Sequence, residues 1–563
     1  MQSKGNPDAP LNMLWLGLWC FLLALGWLLP NHFPPWPNFH SDLWVALLLL
    51  VAGAAVVFKS RSVDWHWPAL LVLALMGVPF LQFAAGLLPF AGQAWMPAAY
   101  LLGFLTALMI GAQWERQASG QAINGLFLAI GAAAIGSVGI QLHQWLIAPS
   151  LTIWVLPSFA GRPHANFGQP NLLATFLIWG LLACAWGVSR RQIRWPTALF
   201  MSVFLTFGIA LTQSRTALIA MVSLALASWF WRDFWKSRRV PWFVTGIALF
   251  LVCCLLSLDT INTSLLLDVE LNNLIEKTRN DSRLKAYKLF LEATLQSPWW
   301  GYGWSELGRA QLAVADTHAG MNGFFFHSHN LFLELILWCG IPLGGCVIVL
   351  ILFWIGMLIR RMNNAQDGLL VAFLCMVGFH AMTELPLHYA SFLLPTGLVL
   401  GTLNQRLSAP VFTSSRPKLA VLWCVAALML ALLARDYFRV EANFYALRFE
   451  RARISERPPL EAPEVVLLTH LRESIRLARM QPKPGMSEQD LQWVLDAAMA
   501  QPSEASLFTL VWALALNDRT AEAQKWALKT SRAVGPGVNA HLKDVWRYEA
   551  QRAPKLRSVN WPD

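Results

Sequence analysis

Thirteen apolar stretches, each near the roughly 20 residues that cross a bilayer as a helix, run along this chain. They lie near 11–30, 43–58, 68–88, 96–112, 121–147, 170–188, 195–211, 216–231, 241–258, 330–359, 368–384, 389–404 and 418–434. In hydrocarbon each segment must satisfy its own backbone polar groups, and a helix is the way a single segment does so. The pattern predicts an all-α polytopic membrane protein with about 13 transmembrane helices. Hydrophobic residues make up 56% of the chain and charged ones 13%, a balance that excludes a soluble domain of this length. The first stretch is longer than the apolar part of a signal peptide and lacks a small-x-small cleavage site, so it reads as an uncleaved helix.

Charge changes abruptly near residue 435. Of the 75 Asp, Glu, Lys and Arg residues, 35 fall in 435–563. This divides the chain into a transmembrane catalytic body, 1–434, and a polar helical domain, 435–563. In the latter, 503–517 and 519–533 read as a tetratricopeptide-like hairpin stopping at Gly535-Pro536-Gly537. Within the body, Lys59/Arg61, Arg116, Arg190/Arg191/Arg194, Arg232/Lys236/Arg238/Arg239, Arg360/Arg361 and Arg406/Arg416/Lys418 fall on every second connection. The positive-inside rule makes those connections cytoplasmic. An odd number of crossings then puts the domain 435–563 and the long loop 259–329 outside. The same rule accounts for the net charge of +11, so no nucleic-acid partner is implied. All eight cysteines lie in apolar segments, which offers neither a disulfide framework nor a Cys-based zinc site.

Chemistry-bearing residues gather on the outer connections. His327-Ser328-His329-Asn330 and Glu334 stand where the long loop enters an apolar run. Ionisable groups at that depth are costly and mark function. Either histidine is suited to take a proton from a hydroxyl, with Asn330 or Glu334 fixing its tautomer. His-x-His with Asp316 and His318 nearby raises a zinc site, but the spacing matches no common pattern, and a metal-independent mechanism is favoured. Arg215 opens an apolar run on a short outer turn, where its planar fork suits phosphate oxygens. Arg283 or Lys285, on a surface helix expected over 276–295, would join it against a pyrophosphate. Gln169 and Asn171 flank Pro170, with His164 and Asn166 just before, and suit sugar hydroxyls or phosphate, or else cap the helix. His388 and Tyr389 close a tight outer turn at Glu384-Leu385-Pro386. Together these groups suit transfer from a lipid-linked phosphate donor to an external hydroxyl.

His327-Ser328-His329-Asn330-Leu331-Phe332-Leu333-Glu334, followed by Gly340-Ile341-Pro342-Leu343-Gly344, resembles the signature of the O-antigen ligase and polymerase superfamily. Ser297-Pro298-Trp299-Trp300-Gly301-Tyr302-Gly303 resembles that family's Pro-x-x-Gly-x-Gly turn, and Gln213-Ser214-Arg215-Thr216 its Ser-Arg helix start. The stretch from Arg162 to Asn171 is similar to one in bacterial protein O-oligosaccharyltransferases of the pilin-glycosylation (PglL) type. The resemblance implies en bloc transfer of a glycan from undecaprenyl pyrophosphate to a Ser or Thr hydroxyl of a periplasmic, pilin-like protein at the inner membrane, with no cofactor. By position it implies His329 as catalytic base, Arg215 as pyrophosphate ligand, and Gln169 and Tyr389 as donor-site residues. His164, Asn171, His327 and Asn330 are expected to support substrate binding. The alternatives are an O-antigen ligase acting on lipid A core, an O-antigen polymerase, and a non-enzymatic carrier of lipid-linked glycan. A carrier needs polar groups at the membrane midplane and often inverted repeats, neither of which the sequence displays.

Overall fold

The computed structural model describes residues 9–146, 153–158, 162–235, 237–267, 282–318, 323–454 and 460–563, without the side chains of 9–13, 282 and 283. It is helical apart from one antiparallel strand pair, Ser62–Trp65 with Phe412–Ser415. Each of the thirteen apolar stretches falls mostly within a helix. Among the described residues, eight helices are long and apolar enough to cross a membrane: Phe39–Lys59, Trp67–Ala84, Ala91–Gln117, Gln121–Trp145, Pro170–Ser189, Arg239–Ser264, Leu331–Arg361 and Arg416–Arg451. Leu14–Gly26, Trp195–Leu211, Arg215–Phe230 and Ala365–Ala381 are apolar but shorter. The chain is therefore a multi-pass membrane protein. It divides into two compact units, one of Met1–Leu73, Leu102–Arg279 and Phe353–Leu430, the other of Ala74–Leu101, Asn280–Leu352 and Ala431–Asp563.

In the first unit, small residues let helices approach backbone to backbone. Added Cβ atoms at Gly111 and Gly401 would collide with the carbonyl oxygens of Leu398 and Leu108, which seats Ala91–Gln117 against Ala390–Leu407. Trp179 stacks on Phe373 at 3.9 Å and 12°, joining Pro170–Ser189 to Ala365–Ala381. Basic connections converge at one end. Arg406 binds Glu115 at 2.9 Å and Asp367 at 3.2 Å, and Arg116 binds Asp64 of the first strand at 3.2 Å. The strand pair, unannounced by any alternating pattern, ties the connections after Lys59 and before Arg416 together at this end. The turns carrying Gln169, Arg215 and Tyr389 lie at the opposite ends of these helices.

In the second unit, residues 460–563 form helices Thr469–Arg479, Glu488–Ala500, Glu504–Leu516, Thr520–Ala533 and Pro536–Arg552. Ser487 and Ser503 close capping boxes that start the second and third. The expected hairpin is present, with Leu507, Val511, Ala523 and Ala527 buried in its core. The second helix of the hairpin ends at Ala533, just before Gly535-Pro536, and Pro536 then opens a further helix, because proline at the first helical position costs no hydrogen bond. Asp436, fully buried, accepts the backbone N–H groups of Val466, Leu467 and Leu468 at 2.8, 2.5 and 3.3 Å.

The apolar stretch near 330–359 is not one straight helix. It breaks at Gly340, whose φ of 78° and ψ of 168° are non-helical, into a half-helix 331–339 and a longer piece beginning at Ile341. A break in an apolar segment frees backbone groups that need new partners. The turn 297–304 supplies them. The Ile341 N–H, which would have bonded the Leu337 carbonyl in an unbroken helix, donates to Pro298 O at 2.7 Å, and Leu337 O accepts from the Tyr302 N–H at 2.7 Å. Pro342 has no N–H to give the Trp338 carbonyl. Gln82 Nε2 donates there instead, at 2.7 Å, while Gln82 Oε1 accepts the Trp304 N–H at 2.9 Å. Trp304 stacks on Trp338 at 5.0 Å. Replacing Gln82, which is 7% exposed, with Leu removes both bonds and strands the Trp338 carbonyl. The expected loss is about 2–4 kcal/mol, read as a lower unfolding midpoint of the purified protein in detergent.

Candidate active site

In the first unit, three segments meet. Arg162 donates through Nε to Thr212 O at 3.0 Å and through Nη2 to Gln213 O at 3.4 Å, holding the 162–171 stretch on the turn before Arg215. Thr216 Oγ1 lies 3.4 Å from Thr383 Oγ1, and Asn171 Nδ2 donates to Glu384 Oε1 at 2.9 Å. One turn further along the helix that Asn171 enters, Thr175 Oγ1 lies 2.9 Å from His380 Nδ1. The structure thus brings Arg162, Asn171, Thr216 and Glu384 into one polar centre.

Arg215 is the first residue of the helix Arg215–Phe230, whose N-cap Ser214 accepts the Ala217 N–H at 3.2 Å. A cation at a helix N-terminus adds to the positive end of the dipole rather than offsetting it. Such a pairing is stabilised by an anion, for which unsatisfied N–H groups and a guanidinium fork are joint donors. Gln169 occupies the N-cap position of Pro170–Ser189, yet its side chain makes no capping bond. Its amide is left for another task. His164 is buried, and burial holds its imidazole below the usual range. It is therefore neutral at physiological pH, as is His32, lowered first by its own burial and then by His164. The ring of His32 packs against Gly168, where a Cβ would lie 2.5 Å from Nε2. Burial pushes the Tyr389 phenol up to about 12, against a hydrogen bond with Asn38. Tyr389 is thus a protonated, neutral phenol.

In the second unit, Asn330 caps the half-helix 331–339. Its Oδ1 accepts the N–H groups of Phe332 and Leu333 at 3.0 and 3.1 Å. Glu334, fully buried, accepts the Ser328 N–H at 3.0 Å and lies 3.7 Å from His327 Nδ1. These bonds fold 327–330 back over the start of the half-helix. His329 sits at the crest with φ of 58°, and its carbonyl accepts from the Tyr287 hydroxyl at 3.2 Å. Among the described residues, eight non-glycines have positive φ. Arg191, Gln213, Leu266, Arg453 and Asp518 follow helices, where a left-handed residue is an ordinary ending. The other three, Ala165, Ser305 and His329, lie in or beside the motif stretches. Strain of this kind persists where the surroundings over-determine it and concentrates at functional sites.

Of the residues singled out from the sequence, Gln169, Asn171, His164, Arg215 and Tyr389 belong to the first unit, and His327, His329 and Asn330 to the second. Arg283 is the second residue of the helix Ser282–Gln296, but its side chain lies outside the described residues, as does the 276–281 part of the expected surface helix. Sequence reasoning placed Glu384 in an outer turn without giving it a role, and it passed over Gln82. Each is a polar residue within or beside an apolar run, buried to 3% and 7% exposure, and polarity at that depth was the available signal.

The family described as O-Antigen ligase matches residues 200–348, which include Arg215 and His329. The Protein glycosylation ligase family matches 163–186, the stretch of His164, Gln169 and Asn171. The family described as Virulence factor membrane-bound polymerase, C-terminal, matches 369–544, which includes Tyr389. The general O-oligosaccharyltransferase of Acinetobacter baylyi is 27% identical over 98% of this chain and 97% of its own length. The ComP-specific O-oligosaccharyltransferase of the same organism is 27% identical over 71% of this chain and 73% of its own.

Proposed function

We propose that this chain, a glycosyltransferase of the O-oligosaccharyltransferase class with an O-antigen ligase segment, moves a preassembled glycan en bloc from undecaprenyl pyrophosphate to a protein. The acceptor is a Ser or Thr hydroxyl of a periplasmic, pilin-like protein, and the enzyme lies in the inner membrane with its motif-bearing turns and residues 435–563 outside. The observation that carries the reading is Arg215 at a helix N-terminus, where the guanidinium and the positive end of the helix dipole together suit an anion such as the donor's pyrophosphate.

In this reaction His329 takes the proton of the acceptor hydroxyl as its oxygen attacks the anomeric carbon. The bond from that carbon to the pyrophosphate oxygen breaks, and the leaving group departs with the electron pair. Arg215 stabilises the charge that develops there, a part the sequence also offers to Arg283. Gln169, Asn171, His164 and Tyr389 offer neutral hydrogen-bonding groups to the donor's sugar and phosphate. His327 and Asn330 shape the loop that presents His329. The glycosyl phosphate bond supplies the driving force, and the scheme is read as metal-independent and without a cofactor. The similarity to the two Acinetobacter enzymes favours a protein acceptor; the match over 369–544 favours the second reading, glycan polymerisation. Intact masses of periplasmic proteins from cells with and without this chain separate them. A glycan-sized increase on a protein, dependent on the chain, is expected. A change confined to lipopolysaccharide, with every protein mass unaltered, would overturn the protein acceptor.

A further inference from the structure

The helix Ser282–Gln296 carries two apolar faces. One, with Ala286, Leu289, Phe290 and Ala293, is buried. On the opposite side Leu284, Leu291 and Leu295, spaced seven and four residues apart, are 62%, 58% and 74% exposed, with the exposed Lys288 between them. Just beyond the helix, Trp299 and Trp300 are 70% and 75% exposed. A helix that is apolar on both sides needs cover on both, and an uncovered apolar stripe of this kind marks an interaction surface.

We propose that this second face is seated in the bilayer interface, so that Ser282–Gln296 is an in-plane membrane helix and Trp299 and Trp300 are its anchors. Three observations favour lipid over a protein partner. The stripe ends in paired tryptophans, whose rings favour the headgroup level. Lys288 stands among the leucines, and a long aliphatic stem with a charged tip is suited to lie along apolar surface and reach phosphate. The stripe is also continuous with a span. Trp299 O lies against Gly340, and Ile341 N–H bonds Pro298 O at 2.7 Å. The piece that starts there exposes Ile341, Leu343, Val349 and Leu352, as a lipid-facing surface does. The two tryptophans therefore stand level with the first turn of a membrane-spanning helix. This placement is independent of which glycan or acceptor the enzyme uses.

The test uses full-length protein in which the exposed Cys253, Cys346 and Cys424 are replaced by Ser. Single cysteines are introduced by Leu291→Cys and Leu295→Cys. Phe353→Cys, on the exposed surface of the span, and Ala521→Cys, on an exposed position of the tail, serve as lipid and water references. Each variant is labelled with bimane and reconstituted in phosphatidylethanolamine–phosphatidylglycerol vesicles with doxyl-labelled lipid. Quenching at 291 and 295 is expected to be at least twice that at 521 and to approach that at 353. Quenching at 291 and 295 equal to that at 521, with 353 strongly quenched, overturns the proposal. Shielding of 291 and 295 by added periplasmic protein without lipid quenching also overturns it, in favour of a protein partner. Lipid quenching is read without glycan transfer, so its outcome stands apart from the proposed activity.

Discussion

Replacing His329 with Asn is expected to abolish glycan transfer while leaving the protein folded in the membrane. The choice of Asn follows from the backbone. With φ of 58°, position 329 is left-handed, a conformation Asn tolerates and Ala resists. His329→Ala would lose the imidazole and strain the loop together, whereas His329→Asn removes the base alone. A positioned general base contributes about 10²–10⁴-fold, so turnover in a reconstituted assay with lipid-linked donor should fall by that range. His327→Ala should cost less, since His327 lies 3.7 Å from the buried Glu334 and is assigned a supporting part. Full activity of His329→Asn, with His327→Ala inactive, would reverse the assignment of the two histidines. Full activity of both would remove the base from this loop.

The second large effect is structural. Gly340→Ala is expected to damage the protein severely, and Gly345→Ala, five residues along the same apolar run, to leave it unharmed. At Gly340 a Cβ would collide with the Trp299 carbonyl and lie 2.8 Å from Trp300 N. These are backbone atoms and cannot swing aside. The backbone at φ 78°, ψ 168° lies in a region essentially reserved for glycine and adds about 1–3 kcal/mol for a residue with a side chain. A Cβ at Gly345 meets nothing within 4 Å, and Ala gains up to about 1 kcal/mol of helix propensity there. Detergent-solubilised yield and unfolding midpoint should therefore separate the pair sharply. Equal behaviour of the two would mean that the seam between 297–304 and Gly340 does not form.

Much of the body was legible because its signals are local. Apolar runs of bilayer length became helices, and Pro170, Ser214 and Ser503 began helices where their backbone preferences and capping groups favour it. Gly340 and Pro342 were visible as interruptions, but the partner of the interruption was not. Nothing in the spacing of Pro298 and Tyr302 says that their backbones complete a helix some 40 residues later. The strand pair 62–65 with 412–415 escaped for the same reason: its two four-residue members lie in separate connections and carry no alternation. In the candidate site, Arg215 stood out by residue type and topology, whereas His329 was distinguished from His327 only by the family resemblance. Glu384 was not singled out, because its importance lies in a long-range bond from Asn171. Asn330 looked like a substrate group, and its oxygen turns out to cap the half-helix, which is the commoner employment of asparagine at that position.

The seam at Gly340 also bears on how such a chain can change. Two of its bonds, Tyr302 to Leu337 and Ile341 to Pro298, run from main chain to main chain, so they ask little of the side chains at those four positions. What they demand is count. Adding or deleting one residue between Pro298 and Tyr302, or between Leu337 and Ile341, moves one bond out of register while the other stays. The stretch between Ser305 and Phe326 lies outside both counts. Variation here is constrained as spacing more than as spelling.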